Sequence, residues 1–440
     1  MTGRGLILAA PKSGSGKTVI TAGLLRHLCN RGIRAAAAKC GPDYIDPTFH
    51  ALASGKACVN LDPWAMRPET LGGLVAGLES SAEFVLCEGV MGLFDGSGPD
   101  GEAGSTAQLA RLTGWPVVLV VDGAGQGASL AAVVEGFARH DPAVPLAGVI
   151  LNRVASPHHV DILRRVLGRF LPELPLLGIV FASDAIRLPA RHLGLVPAGE
   201  QGETEPLVAR AAQVLGEAID IDRLVALAQP ARGNSAACRP GLASLGRRIA
   251  IARDDAFLFT YAATLATWRA QGAEISFFSP LADEAPAASC DAIYLPGGYP
   301  ELHAERLAAA RHFRAGMHNA AKAGKAIYGE CGGYMVLGET LVDADRRPHQ
   351  MLGLLPLTTS FADPQRHLGY RRATLLICGP LGRAGTRFRG HEFHYATILH
   401  EGNAHPLFAA CDIYDRNLGD AGLHQGSVAG SFIHLIDIED

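Results

Sequence analysis

The first half of the chain contains short, continuous runs of apolar residues that alternate with stretches of helical spacing. These runs predict six strands, at residues 5–10, 34–39, 83–88, 116–121, 146–151 and 176–180. Strands without alternating polar positions, such as 117–121, are typical of parallel sheets that are buried on both faces. Because strands and helices alternate, we predict an α/β domain with helices on both faces of a parallel sheet.

The second half follows a segment that is rich in glycine, proline and small polar residues. This composition predicts a linker at 229–246. Beyond it, further apolar runs predict strands at 248–252 and near 275–278, 291–295 and 325–329. We therefore predict a first domain at 1–228 and a second α/β domain at 247–440.

The composition indicates large hydrophobic cores and argues against several classes of partner. Of the 440 residues, 48% are hydrophobic, which is enough for two or three domains. The net charge is −4 and no run of Lys or Arg resembles a nucleic-acid-binding arm, so we expect no nucleic-acid partner. No apolar stretch is long enough to span a membrane. The nine cysteines form no CxxC pair and no signal peptide is evident, which indicates a cytoplasmic protein with free thiols.

A glycine-rich loop with the sequence APKSGSGKT follows the first predicted strand and precedes a predicted helix. This is the arrangement of a phosphate-binding loop, in which backbone N–H groups surround the phosphates. Lys17 would neutralise charge and the Thr18 hydroxyl would bind Mg²⁺. Pro11 replaces the first glycine of the usual pattern, and Lys12 resembles the variant loop of ATPases that often act as dimers. The residues of the loop that we predict to bind ATP are Lys12, Gly14, Ser15, Gly16, Lys17 and Thr18.

Further polar clusters lie at the ends of predicted strands, where open α/β sheets bind ligands. Asp43 and Asp46 lie between prolines and could hold Mg²⁺ or an acidic substrate through the metal. Glu88 ends an apolar strand, which is the position of an acidic metal ligand in nucleotide sites. Asn152 could pair with an adenine edge, although Glu88 and Asn152 could also simply belong to turns. Arg191 could bind carboxylate or phosphate, or could lie in a solvated loop.

The sequence IYGECGG predicts a nucleophile elbow around Cys331. An apolar strand leads into the thiol and a helix is predicted after it, so the side chain would lie at the tip of a sharp turn. The helix N-terminus would favour the thiolate form. Gly332 and Gly298 are candidates to supply oxyanion-binding N–H groups, because glycine permits close backbone approach. The alternative is a buried cysteine in a glycine-rich turn.

A cysteine nucleophile needs a base. His434 ends an apolar, strand-like run near the end of the chain and could reach Cys331 from a sheet edge. His391 and His394 lie in an alternating stretch and are alternatives. A zinc site there is disfavoured, because the sequence offers them no suitable acidic or cysteine partners.

Together these motifs resemble a known family. The sequences LPGGYPE at 295–301 and YGECGGYM at 328–335, with His434, resemble the class I glutamine amidotransferase domain of the corrin amide synthases. The first half resembles their ATP-binding domain, which is related to dethiobiotin synthetase. The a,c-diamide synthase branch is indicated by DYIDP at 43–47, EGVMGLFD at 88–95 and LPARHLGL at 188–195. The resemblance implies a P-loop NTPase-type parallel sheet followed by a flavodoxin-like amidotransferase domain.

The resemblance also implies an activity. Such an enzyme uses ATP and glutamine to amidate the a- and c-side-chain carboxylates of cobyrinate or hydrogenobyrinate, with Mg²⁺ as cofactor. It implies that Cys331 and His434 are the catalytic pair and that the metal ligands are Thr18, Asp46 and Glu88. The family and Lys12 together hint at a homodimer. The residues assigned to the substrate or the phosphoryl group are Lys39, Asp43, Tyr44, Asp95 and Arg191.

One position departs from the wider class I pattern. Many of those enzymes carry a Glu two residues after the histidine, whereas this chain has Ile436. We therefore predict a Cys331–His434 pair, and we expect Asp437 to point elsewhere if this run is a strand. The alternatives are a regulatory dimeric P-loop ATPase, a cysteine-peptidase-like domain joined to an ATPase, a sister corrin synthase that amidates other side chains, and an a,c-diamide synthase acting on nickel-sirohydrochlorin.

Overall fold

The computed structural model describes residues 3–186, 204–232 and 241–439. The chain forms two compact units, of which the first comprises residues up to Trp64 together with Pro68–Arg239. The second comprises Ala65–Arg67 and the chain from Pro240 onward. The predicted linker at 229–246 lies partly outside the described residues.

The first unit is built on a seven-stranded sheet in which every strand pair is parallel. The order of its strands is β3-β2-β4-β1-β5-β6-β7. Their bounds are β1 Arg4–Ala9, β2 Ala35–Cys40, β3 Val59–Leu61, β4 Phe84–Glu88, β5 Val117–Asp122, β6 Leu146–Val154 and β7 Leu176–Phe181. The six predicted strands are confirmed. The three-residue strand β3 was not predicted, because so short a run has no recognisable period.

Eight helices connect or follow these strands in the described part of the first unit. They are α1 Lys17–Asn30, α2 Asp46–Ser54, α3 Pro68–Ser81, α4 Thr106–Thr113, α5 Ser129–His140, α6 Pro157–Phe170, α7 Thr204–Ala218 and α8 Ile221–Leu227. The apolar runs form strands because both faces of the sheet are covered. In β5, for example, residues 117–121 are at most 1% exposed.

The second unit contains a ten-stranded mixed sheet and a small four-stranded sheet. The larger sheet has the order β21-β16-β15-β18-β19-β20-β11-β10-β8-β9, and the smaller one has the order β13-β12-β14-β17. The first strands are β8 Arg248–Ala252, β9 Glu274–Phe278, β10 Ala292–Leu295, β11 Ala326–Glu330, β12 Thr340–Val342, β13 Pro348–Gln350 and β14 Leu357–Ser360. The others are β15 His367–Leu375, β16 Arg387–His394, β17 Thr397–Glu401, β18 His405–Asp412, β19 Asn417–Gln425, β20 Val428–Ser431 and β21 Ile433–Glu439.

The parallel half of the larger sheet carries two hydrophobic cores, one on each face. Along β8, Ile249 and Ile251 belong to one core, whereas Ala250 and Ala252 belong to the other. This alternation is the two-residue period of a strand that is buried on both sides. The α/β class predicted for both halves is confirmed. The helices of this unit are α9 Ala262–Ala270, α10 Ala304–Ala309, α11 Arg311–Lys322 and α12 Gly332–Leu337.

Among the described helices of both units, none combines the length and apolar character that crossing a membrane requires.

Candidate active sites

The phosphate-loop sequence lies between β1 and α1, as predicted. Gly14 and Gly16 have φ angles of 78° and 95°, which L side chains rarely adopt. A side chain on Gly16 would also meet Asn152, because a Cβ there would lie 2.2 Å from the Asn152 amide nitrogen. Helix α1 begins at Lys17, so its first N–H groups have no partner within the helix and are available to an anion.

Two side chains of the loop region are fixed by internal hydrogen bonds. The Lys17 ammonium donates to the Met91 carbonyl oxygen at 2.6 Å, and the Thr18 hydroxyl donates to a Glu88 carboxylate oxygen at 3.0 Å. Burial lowers the pKa of Lys17, and the Glu88 carboxylate offsets this only in part. A phosphate group would therefore meet a desolvated ammonium, which interacts with a negative charge more strongly than an exposed one does.

A buried cluster of charges adjoins the loop. The Lys39 ammonium lies 2.7 Å from Asp46, 3.2 Å from Glu88 and 3.9 Å from Asp43. Although burial lowers the pKa of Lys39, these carboxylates raise it well above its ordinary value. Burial and the Asp46 carboxylate raise the pKa of Asp43. Lys39 was predicted to contact the substrate or phosphoryl group, and in this structure it neutralises the carboxylates.

His50 is a member of this cluster that the sequence prediction did not include. Its Nε2 lies 2.5 Å from the second carboxylate oxygen of Glu88, and its side chain is fully buried. The ring fixes the orientation of Glu88 while Thr18 contacts the other oxygen. The sequence feature that could have identified His50 is its position four residues after Asp46, which places both residues on the same face of α2.

The cluster and the loop line a cavity of about 830 Å³ in the first unit. The predicted site residues along its wall are Gly14, Gly16, Lys17, Thr18, Lys39, Asp43, Asp46, Glu88 and Asn152. The oxygens of Thr18, Asp46 and Glu88 are the hard donors that Mg²⁺ prefers, so these residues could hold that ion.

The other residues predicted for this site make different contacts from those expected or do not line the cavity. The Asn152 amide nitrogen donates to the Ser15 carbonyl oxygen at 2.8 Å, so in this structure it supports the loop. Asp95 accepts from the Gly92 N–H at 2.9 Å and thereby shapes the turn after Glu88. Lys12 is exposed and Tyr44 is half-buried, and neither lines the cavity. Arg191 lies outside the described residues.

In the second unit, Cys331 occupies a sharp turn between β11 and α12. Its φ is 49°, an uncommon value for a residue with a side chain, and this is the strained geometry of a nucleophile elbow. The surrounding glycines are required by close packing. A Cβ on Gly333 would lie 1.9 Å from the Leu295 carbonyl oxygen, and a Cβ on Gly332 would lie 3.0 Å from the Gly298 nitrogen. The two glycines predicted to bind the oxyanion are therefore neighbours beside the thiol.

The structure brings His434 and Cys331 into hydrogen-bond contact, although 103 positions separate them in the sequence. His434 lies on β21 and is 1% exposed. Burial alone would lower the pKa of His434, but the Cys331 thiolate and the Glu330 carboxylate raise it to about 10. The ring is therefore suited to be the cationic partner of a thiolate.

Gly297 is a further part of this site that the sequence prediction missed. A Cβ at this position would lie 2.5 Å from Cε1 of His434 and 3.3 Å from the Cys331 Cβ. The two-glycine turn after β10 could have identified Gly297, but only Gly298 was predicted there, as an oxyanion-binding residue. Asp437 points away from this pair, as predicted, because both of its oxygens bind Arg67.

Comparison with known proteins assigns each half of the chain to a domain family. Residues 6–196 match the family model of the CobQ/CobB/MinD/ParA nucleotide binding domain, and residues 248–439 match that of the CobB/CobQ-like glutamine amidotransferase domain. The hydrogenobyrinate a,c-diamide synthase of Rhizobium meliloti (strain 1021) is 52% identical over 440 residues, which cover 99% of this chain and 100% of the relative. The chain belongs to the hydrogenobyrinate a,c-diamide synthase family.

A second relative of the same name matches along nearly its whole length. The Brucella abortus biovar 1 (strain 9-941) protein of that name is 53% identical over 438 residues, which cover 99% of this chain and 98% of the relative. Two solved structures each match about half of the chain. MinD of Pyrococcus horikoshii OT3 with Mg-ADP is 19% identical and covers 50% of this chain and 96% of its own, with a TM-score of 0.33. PurLQS from Thermotoga maritima is 17% identical and covers 43% and 87%, with a TM-score of 0.32.

Proposed function

We propose that this chain amidates the a- and c-side-chain carboxylates of hydrogenobyrinate, with ATP and glutamine as co-substrates, in cobalamin biosynthesis. The observation that carries the proposal is the presence of two different reaction sites in one chain that is 52% identical over 99% of its length to a hydrogenobyrinate a,c-diamide synthase. The phosphate loop activates a carboxylate, and the Cys331 elbow liberates ammonia. A regulatory ATPase needs no second site of this kind.

Ammonia release depends on the Cys331 site. The thiolate attacks the side-chain amide carbon of glutamine, and the C–N bond breaks as His434 donates a proton to the leaving ammonia. The thioester that remains on Cys331 is hydrolysed by water, with His434 as base. The N–H groups of Gly298 and Gly332 hold the oxyanion in both steps.

Carboxylate activation depends on the first unit. A substrate carboxylate oxygen attacks the γ-phosphorus of ATP, ADP leaves, and an acyl phosphate is formed. Ammonia then attacks the acyl carbon and phosphate leaves. Lys17 and the loop N–H groups stabilise the charge on the transferring group. Thr18, Asp46 and Glu88 would hold Mg²⁺, which would neutralise charge on the phosphates when bound. We assign Asp43, Asp95 and Arg191 to the substrate or phosphoryl group.

We also propose a cellular compartment and an oligomeric state for the protein. We infer that the protein works in the cytoplasm, where ATP and glutamine are abundant and thiols stay reduced. We also infer a homodimer, which Lys12 in the variant loop supports. Sedimentation of the protein at micromolar concentration tests the assembly, and a monomer would contradict it.

Substitutions at the thiol site and at the phosphate loop should have different effects on amidation. Cys331→Ser should abolish glutamine-dependent amidation while ammonium salts still support it, because only the source of nitrogen is lost. Lys17→Ala should stop amidation with either nitrogen source. The measurement is product mass after incubation with ATP and Mg²⁺, with hydrogenobyrinate and cobyrinate in parallel. Retained glutamine use by Cys331→Ser, or near-normal synthesis by Lys17→Ala, would contradict the proposed sites. Amidation of cobyrinate alone would contradict the proposed substrate.

A further inference from the structure

A second buried acid lies next to the nucleophile. Glu330 is the last residue of β11 and is 4% exposed. One of its carboxylate oxygens accepts the Leu435 N–H at 3.2 Å, and the other accepts the Tyr294 hydroxyl at 2.7 Å. Burial raises the pKa of Tyr294 well above its ordinary value, so this phenol stays protonated and acts as the donor. The carboxylate is therefore held at both oxygens in one orientation.

The Glu330 carboxylate faces His434. The oxygen that accepts from Tyr294 lies 3.7 Å from Nδ1 of the His434 ring. In the part of the chain that the structure describes, this is the only ion pair recorded for Glu330. A buried carboxylate without a cationic partner is costly, and two neutral hydrogen-bond donors do not supply one. The charge at this position is stabilised when the ring of His434 is protonated.

The same ring contacts the thiol of Cys331. The imidazole thus lies between a nucleophile and a fixed carboxylate, which is the order of groups in a catalytic triad. The position that carries a Glu in many class I enzymes is Ile436 here, and Asp437 is bound to Arg67. The sequence neighbour of the nucleophile can take that role because β11 and β21 bring Glu330 beside the base.

We propose that Glu330 is a positioning residue that completes a Cys331–His434–Glu330 arrangement and favours the protonated form of His434. This inference rests on the proposed glutamine-dependent function of the same site. In the neutral ring, Glu330 favours the tautomer with the proton on Nδ1, which leaves the other nitrogen to accept the thiol proton. At 3.7 Å the interaction is electrostatic, so it is strongest once the ring is charged. The raised pKa of His434 has the sign that this arrangement requires.

The test is Glu330→Gln, which keeps the size and polarity of the side chain and removes its charge. We expect kcat for glutamine-dependent amidation to fall about 10²–10⁴-fold, by analogy with the loss of the orienting carboxylate in a triad. We expect the KM for glutamine to stay within about threefold and ammonia-dependent amidation to remain unchanged, because neither depends on the state of the His434 ring. Glu330→Asp, which keeps the charge, should recover part of the lost kcat.

Tyr294→Phe is the matched control, because it removes a hydrogen bond from the same carboxylate and leaves the charge in place. We expect it to lower kcat less than about tenfold. A second readout is the rate at which iodoacetamide alkylates Cys331 near neutral pH, followed by peptide mass. Glu330→Gln should slow this reaction, because a less basic His434 leaves less thiolate–imidazolium pair, whereas Tyr294→Phe should change it little.

Two results would overturn the inference. In the first, Glu330→Gln keeps the wild-type kcat and the wild-type alkylation rate. In the second, it loses activity with ammonia and with glutamine to the same extent, which would show that Glu330 only stabilises the fold. Failure of the proposed function looks different, because the wild-type protein would then form no amide from glutamine, or Cys331→Ser would keep glutamine-dependent synthesis.

Discussion

At the scale of single residues, the thiol site depends on how closely the backbone approaches its side chains. Gly297 is the clearest case, since His434 and Cys331 both occupy the space that a Cβ would need. The φ angle of Gly297 is not positive, so a backbone conformation that only glycine adopts is not the reason for glycine here. The reason is contact with the catalytic pair.

Gly297→Ala should therefore disable glutamine use. A methyl group 2.5 Å from Cε1 of His434 must displace the ring, so we expect glutamine-dependent amidation to fall at least about tenfold. Ammonia-dependent amidation should persist. The control is Gly379→Ala, because a Cβ there meets nothing within 4 Å. Equal activity of the two variants with glutamine would contradict the close contact.

At the scale of elements, a buried histidine on strand β16 makes the free energy of unfolding depend on pH. His391 on this strand is paired in register with His434 on β21. Burial, with His434 and Arg371 beside it, lowers the pKa of His391 to about 3, against the opposing attraction of Glu392. An unfolded histidine titrates near 6.5. Between these values the unfolded state binds more protons, so the free energy of unfolding falls as pH falls from about 6.5 towards 3.

His391→Gln should flatten this dependence. We expect the loss of unfolding free energy between about pH 7.5 and about pH 5 to be smaller in the variant by about 1–2 kcal/mol. Urea titrations at the two pH values give the difference. His400→Gln, at an exposed position on β17, is the control and should leave the slope unchanged. An unchanged slope in His391→Gln would contradict the lowered pKa.

At the scale of the whole molecule, the second unit is not a contiguous piece of sequence. Ala65–Arg67 belongs to it, and Arg67 binds Asp437 through its backbone N–H at 2.9 Å and through its guanidinium at 3.0 and 3.2 Å. These residues are 370 positions apart. Asp437 is fully buried and Arg67 is 8% exposed, so the two charges form a buried ion pair.

Asp437→Ala should destabilise the second unit by about 3–5 kcal/mol, because a buried guanidinium and an N–H group lose their carboxylate. Asp363→Ala is the matched control, since it removes a carboxylate from the exposed pair with Arg346. We expect that change to cost less than about 1 kcal/mol. Thermal unfolding of both variants gives the comparison. Similar melting temperatures would contradict the difference in burial.

The sequence predicted what depends on local pattern. Continuous apolar runs such as 117–121 identified the parallel strands, and the glycines of both turns identified the phosphate loop and the thiol elbow. The antiparallel strands were largely missed, because strands such as β19 Asn417–Gln425 are mostly exposed and contain glycines that interrupt any alternation. No local period marks such a strand, since its neighbours in the sheet stabilise it.

The sequence by itself determined the two α/β halves, the phosphate loop and the glycine-flanked thiol turn, because each depends on residue types at short spacing. His434 was chosen over His391 and His394 from the family resemblance, and the fold places its ring beside Cys331 although 103 positions separate them. Only the tertiary structure decided which groups surround those residues. Glu330 faces His434, His50 orients Glu88, and Lys39 neutralises the carboxylates beside the loop. Those contacts join different strands and helices, and packing between distant segments sets them, so no spacing along the chain encodes them.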